Sequence, residues 1–263
     1  GQIINPGFLL PVIGGWAPYR YFVLAIGWAT GVGIVALFAI RIATKFFHKS
    51  RTSRFLGSRS LKAYYVEATI LAVVICVIAL DYYEHQYYVN TTAIQTLAAI
   101  KIFVSVMWFI VVASDLTMGV AWHRFLAPIN IFFKRNLDSK PALGPLPEMI
   151  SHGKPIDFED PNEDDVFGIG KSADISWKGL LDMASCTECG RCQSQCPAWH
   201  TDKPLSPKLL IMAMRDHALS NVDSDEPIVG QIISPEVLWS CTTCGACVNE
   251  CPVDIEHVDH IVN

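Results

Sequence analysis

Two cysteine runs constrain this chain more than any other feature: Cys186, Cys189, Cys192 and Cys196 before Pro197, and Cys241, Cys244, Cys247 and Cys251 before Pro252. Both read C-x2-C-x2-C-x3-C-P. They hold eight of the nine cysteines, packed too closely and regularly for a secreted disulfide framework. In such a run, three thiolates two residues apart wrap one corner of a cuboidal iron–sulfur cluster, and the fourth, beyond the turn, binds the other cluster. The spacing therefore predicts two interlocked [4Fe-4S] clusters. Cys186, Cys189, Cys192 and Cys251 would hold the first, and Cys241, Cys244, Cys247 and Cys196 the second. Zinc also accepts four thiolates, but its sites usually pair two separated C-x2-C knuckles, leaving the third and fourth cysteine of each run without a role. Gly190 and Gly245 stand where a tight turn around a cluster calls for positive φ. Pro197 and Pro252 fix φ as the chain leaves the site. Cys76, alone in an apolar stretch, reads as a small buried hydrophobe.

The rest of the chain divides by charge. Residues 1–136 carry 12 Lys and Arg against 4 Asp and Glu, and residues 137–263 carry 8 against 21. With 51% apolar and 17% charged residues, and a mean hydropathy of +0.33, a membrane part is expected. Tyr21 to Ile40 is free of charge for twenty residues, enough to cross a hydrocarbon core of about 30 Å. Ala63 to Leu80 is broken only by Glu67, and Val89 to Ser114 only by Lys101. At least three spans follow, at about 20–42, 62–81 and 92–118, within a transmembrane domain covering residues 1–136. The loop from Arg41 to Lys62 holds seven bases and no acid, whereas Asp81 to Thr92 holds no base. Positive charge marks the cytoplasmic side, so the cysteine runs are expected to face a reducing cytoplasm. Tyr82, Tyr83, Tyr87 and Tyr88 suit an aromatic belt on the outer side. Basic charge set among apolar segments makes nucleic acid an unsuitable partner. The chain opens on Gly1, which reads as a fragment or processed chain.

Trp122 to Arg135 mixes aromatic and basic residues, as an interfacial segment would, or continues the third helix as far as Pro128. Residues 137–175, with PALGPLPEM and DFEDPNEDDVFGIG, read as an acidic Pro/Gly tether without a core. Residues 176–263 read as a helical ferredoxin-like domain. Ser206-Pro207 starts one helix and Ser234-Pro235 another. Leu209, Leu210 and Ala213 are placed over the clusters, where core packing explains them equally well. With eight thiolates filling the ligand sites, His200, His217, His257 and His260 read as surface or supporting residues.

Ionisable residues inside a membrane are functional candidates. Glu67 and Asp115 fall near the inner ends of their helices, with His123 just beyond. They form a candidate quinone and proton site, or ion pairs with Arg59, Lys62 or Arg124. Lys101 lies toward the outer side, suited to snorkelling or to pairing with Asp81 or Glu84.

The runs WKGLLDMASCTECGRCQSQCPAWHTDKPLSPKLLIMAMRDH and VLWSCTTCGACVNECPVDIEHVDHIV resemble bacterial iron–sulfur-binding reductases related to heterodisulfide reductase, in particular the electron-transfer flavoprotein:menaquinone oxidoreductase type. The membrane half is more loosely similar to nitrate-reductase gamma-type domains, through FLAPINIFFKR. The resemblance implies a mainly all-α chain in the bacterial cytoplasmic membrane, with a helical bundle followed by the two-cluster domain. It implies electron-transfer flavoprotein, or another soluble cytoplasmic donor, as one partner and menaquinone as the other. In the family five or six helices precede the clusters and two cysteine-rich CCG domains follow. Haem b is implied for related membrane domains, and His123 is the candidate axial ligand, with His48 and His85 in loops. Two other readings are a disulfide reductase fed by quinol and a non-catalytic anchor subunit of a respiratory complex.

Overall fold

The computed structural model describes residues 2–46, 51, 53–135, 146–220 and 224–263. It divides into two compact units, Gly1–Phe47 with Arg59–Asp115, and His48–Ser58 with Leu116–Asn263.

The first unit is built from α1 (Ala17–Phe46), α2 (Ser60–Glu84) and α3 (Thr91–Ser114). All three are long and apolar enough to cross a membrane. Side chains such as Phe22, Val32, Phe103 and Phe109 stay exposed on their surfaces, as lipid-facing residues do. α2 packs against both neighbours. Asn90 starts α3, its side chain accepting from the Ala93 N–H at 3.0 Å. α3 then stops at Ser114, four residues short of the expected span, because Asp115 leaves helical geometry at the cap. Cys76 is buried in α2, as its apolar setting suggested. At the other end of the unit, Arg20 grips Asp81 with two hydrogen bonds of 2.6 and 3.0 Å. A cavity there is also lined by Glu84 and Lys101.

The second unit differs from the expected domain boundary at residue 136 in two ways. It takes in α4 (Gly119–Phe132), a helix separate from α3 that runs through Pro128 without ending. α4 packs on α5 (Trp177–Ala184), and Asn130 is fully buried between them, donating to Asp182 Oδ1 and to the Val253 carbonyl, both at 2.8 Å. The apolar face read as interfacial is thus spent partly on protein. The unit also takes in residues 51–58, from the loop between α1 and α2.

The remaining elements are short: α6 (Arg191–Gln195), α7 (Pro197–His200), α8 (Pro207–Ser220), α9 (Pro235–Trp239), α10 (Ala246–Asn249) and α11 (Asp259–Val262). A two-stranded hairpin, β1 (Ile150–Ser151) with β2 (Lys154–Pro155), lies in the acidic segment. Helices of four or five residues do not hold themselves together. They depend on α8 at the centre of the core, where Leu210, Ile211 and Met214 pack with Met183, Trp199, Leu205, Val253 and Ile255. α8 starts where the Ser-Pro pair predicts, with Ser206 Oγ accepting from the Leu209 N–H. The segment expected to be a coreless tether behaves otherwise at its end: Ile175 joins this core, and Ile169 bonds the carbonyl of Asn263. Residues 137–145 of that segment, and His48, lie outside the described residues.

Candidate metal centre

The cysteine runs fold alike. In each, the residue before the second cysteine has positive φ, Glu188 at 56° and Thr243 at 49°, and a left-handed glycine follows that cysteine, Gly190 at 73° and Gly245 at 72°. Each glycine then caps a short helix, α6 or α10, that carries the third cysteine. All eight thiols are free of disulfides.

The chain brings them together four by four. One cavity is lined by Cys186, Cys189, Cys192 and Cys251. The other is lined by Cys196, Cys241, Cys244 and Cys247. The fourth cysteine of each run therefore faces the cavity of the opposite run. α6 and α10 pack together, with Cys192 and Cys247 in one apolar cluster, so the cavities are neighbours. Among the described residues, no three His, Cys, Asp or Glu side chains converge closely enough to hold a single metal ion. Four thiols standing around a space suit a multi-atom cluster better than mononuclear zinc.

Burial pushes the thiols of Cys186 and Cys247 up to about 12 and that of Cys251 up to about 11, and it raises Cys192, Cys196 and Cys241 as well. These groups stay protonated at neutral pH unless a cation rewards ionisation, which is what metal coordination by thiolate does. The donor set and its setting fit iron–sulfur clusters.

Around the first cavity stand groups that no motif or spacing marks out, Lys208 first among them. Lys208 of α8 lines it, with Nζ donating to the carbonyls of Arg54 and Leu56 at 2.7 and 2.5 Å and to Ser58 Oγ at 3.0 Å. Burial lowers the Lys208 ammonium, while the nearby thiols and Glu188 pull it back up. Arg215 and Glu188, both buried, pair at 3.0 Å. His257, also lining this cavity, is pushed down to about 4 by burial and bonds the Ile255 carbonyl, so it is a neutral wall residue. Leu205, Pro207 and Lys208 reach the cavities, in place of the Leu209, Leu210 and Ala213 expected there. His200 is exposed on Ser194, and His260 pairs with Asp182.

Residues 51 and 53–58 pack against this region. Trp199 Nε1 donates to the Arg51 carbonyl at 2.8 Å, and the Arg51 guanidinium lies 4.1 Å from the Trp199 ring. Gln193 Nε2 donates to the Ser53 carbonyl, and Ser58 Oγ to that of Glu188. A Cβ on Gly190 would strike the Arg54 carbonyl, and one on Gly119 the carbonyl of Cys186. Gly190→Ala is therefore expected to cost about 1–2 kcal/mol for its left-handed backbone and about 1–3 kcal/mol more for overpacking. Gly153→Ala, at φ 80° facing open space, should lose only the first part. Thermal unfolding of the detergent-solubilised variants, followed by cluster absorbance, measures the difference; equal losses would mean that the loop does not press on this turn.

The membrane candidates sit among local partners. Arg41 holds Glu67 at 2.6 Å and Lys62 holds Asp115 at 2.6 Å. Lys62 was one of the partners expected for Asp115, whereas Arg41, from α1, was not considered for Glu67. His123 lies on α4 in the other unit, its Nδ1 on the Gly119 carbonyl at 2.9 Å, and burial holds it below its usual value. For haem, the described residues supply no pair of histidines on facing membrane helices; His85 bonds the Asp81 carbonyl of its own helix end. They do not fit that group.

Residues 185–255 match the family model of the 4Fe-4S dicluster domain. The chain is 32% identical to the probable iron-sulfur-binding oxidoreductase FadF of Bacillus subtilis, over 54% of this chain and 24% of the relative. A probable membrane-anchored ferredoxin of Chromohalobacter salexigens is 32% identical over 57% and 26%. The EtfAB:quinone oxidoreductase of Syntrophomonas wolfei is 29% identical over 54% and 22%. C subunits of CoB-CoM heterodisulfide reductases match shorter stretches, about 30% of the chain. The chain spans about a quarter of the length of the first three relatives. No solved structure matches it.

Proposed function

We propose that this chain is the membrane-anchored electron-transfer part of an oxidoreductase that carries electrons from a soluble cytoplasmic donor, electron-transfer flavoprotein, to menaquinone. One observation carries the reading: two adjoining four-thiol cavities in the same chain as three membrane-length helices. Bound [4Fe-4S] clusters accept and donate single electrons, which connects a flavin to a quinone. The thiols of Cys186, Cys189, Cys192 and Cys251 hold one, and those of Cys196, Cys241, Cys244 and Cys247 the other. The surrounding core buries four of these eight cysteines, Cys186, Cys192, Cys196 and Cys247. The base-rich stretch between α1 and α2 orients the iron–sulfur unit to the cytoplasm.

Quinone reduction consumes protons, and the carboxylates of Glu67 and Asp115, with His123, are the groups we assign to supplying them. Glu67 is paired with Arg41 and Asp115 with Lys62, so each pairing must open before the carboxyl group can pass a proton on. The name of the Syntrophomonas relative supports both donor and acceptor. The test is anaerobic: full-length protein in detergent, reduced electron-transfer flavoprotein and a menaquinone analogue, with flavin reoxidation followed optically. Quinone-dependent reoxidation is expected. Reoxidation by a disulfide substrate without quinone would favour a disulfide reductase instead.

A further inference from the structure

The two cavities differ in charge. Among the described residues lining the second cavity, none carries a charged side chain: besides its thiols it has Pro197, Ala198, Leu205, Pro207, Val258 and other uncharged neighbours. The first cavity has a cation in its wall. Lys208 has three hydrogen-bond acceptors around Nζ, the carbonyls of Arg54 and Leu56 and the Ser58 hydroxyl, whose own proton goes to the Glu188 carbonyl. Three acceptors match the three protons of an ammonium. Lys208 is itself fully buried, so its field is weakly screened.

Other charges nearby are spent on one another. Arg215 pairs with Glu188 and Asp216, and Asp182 with Lys178 and His260. Among the described residues lining the first cavity, Lys208 is the cation whose hydrogen-bond acceptors are all neutral. Adding an electron to a cluster makes it more negative, and a fixed positive charge at its wall stabilises that state. Water reaches the second cavity at Cys244, the one fully exposed thiol of the eight, and acts in the same direction there. Solvent dipoles on one flank are a weaker influence than a full charge held where water is excluded.

We propose that Lys208 makes the cluster of Cys186, Cys189, Cys192 and Cys251 the more easily reduced of the two. Electrons then arrive at the exposed Cys244 side and come to rest in the cavity whose wall is tied to the 51–58 loop. This rests on the cluster assignment above, and it concerns potential rather than turnover.

The test is an EPR-monitored redox titration of the full chain in detergent, after iron and sulfide analysis. Wild type should show two one-electron steps. In Lys208→Gln the upper step should move down, so that at its wild-type midpoint the reduced-to-oxidised ratio falls about tenfold, which is about 59 mV for one electron. The lower step should move much less, and Lys208→Arg should restore the upper one. Glu188→Gln removes a negative charge from the same surroundings and should move the upper step the other way, a result misfolding does not mimic. If Lys208→Gln fails to assemble, Lys208→Met, which keeps the length of the stem and removes the charge, takes its place with the same expected shift. Two clusters whose upper step ignores these changes, or whose lower step moves instead, would overturn the proposal. Absence of clusters in wild type would overturn the assignment beneath it.

Discussion

Cys196→Ser should remove the iron held by the other run, that of Cys241, Cys244 and Cys247, and leave the first site loaded. Single variants do not reveal which site was lost, but pairs do. Cys196→Ser combined with Cys241→Ser strikes one cavity twice and should keep about half the wild-type iron, since two equal clusters share it. Cys196→Ser combined with Cys186→Ser strikes both and should keep almost none. Local wiring, each run to its own cluster, predicts the reverse pattern. The grounds are the cavity linings, where Cys196 faces the second run and Cys251 the first. Because α6, α7, α10 and α11 are so short, loss of either cluster should also loosen the fold, visible as increased proteolysis.

Asp182→Ala should be the most damaging change away from the cysteines, at about 3–5 kcal/mol. The carboxylate is buried, with Lys178 at 2.7 Å, Asn130 at 2.8 Å and His260 at 3.1 Å, so it joins α4, α5 and α11. Truncation strands all three partners at once. Burial alone would raise this carboxyl, but the hydrogen bond and charge of His260 and the charge of Lys178 outweigh it and hold it below the ordinary range. Its stabilisation is therefore complete above the unfolded value of about 3.9 and is lost only as pH falls through the lower folded value. The stability gap between wild type and Asp182→Ala, from thermal unfolding, should not shrink as pH falls from 7 to about 5. A gap already shrinking between pH 7 and 5 would show that the carboxylate is not held ionised.

The elements legible in the sequence were those with their own period or spacing. Three apolar runs gave α1, α2 and α3, Ser206-Pro207 gave the start of α8, and the cysteine spacing placed Gly190 and Gly245 in left-handed turns. Tertiary partners were not legible. The aromatic and basic stretch of α4 satisfies a lipid interface and a protein groove equally well, and only the buried Asn130 distinguishes them. Bases between α1 and α2 carry a topological signal, and nothing in their spacing says that Arg51 and the carbonyls of Arg54 and Leu56 serve Trp199 and Lys208. Lys208 looks like an ordinary first-turn lysine until those carbonyls are in place.

That loop has a consequence for modularity. A gene segment encoding only residues 146–263 would produce an orphan: its Lys208 would have a buried charge and nothing to donate to, Gln193 would lose the Ser53 carbonyl, and Asp182 would lose Asn130. The compact unit that holds the cysteine runs is therefore assembled from discontinuous stretches of chain, and the segment after residue 146 is not a self-contained module.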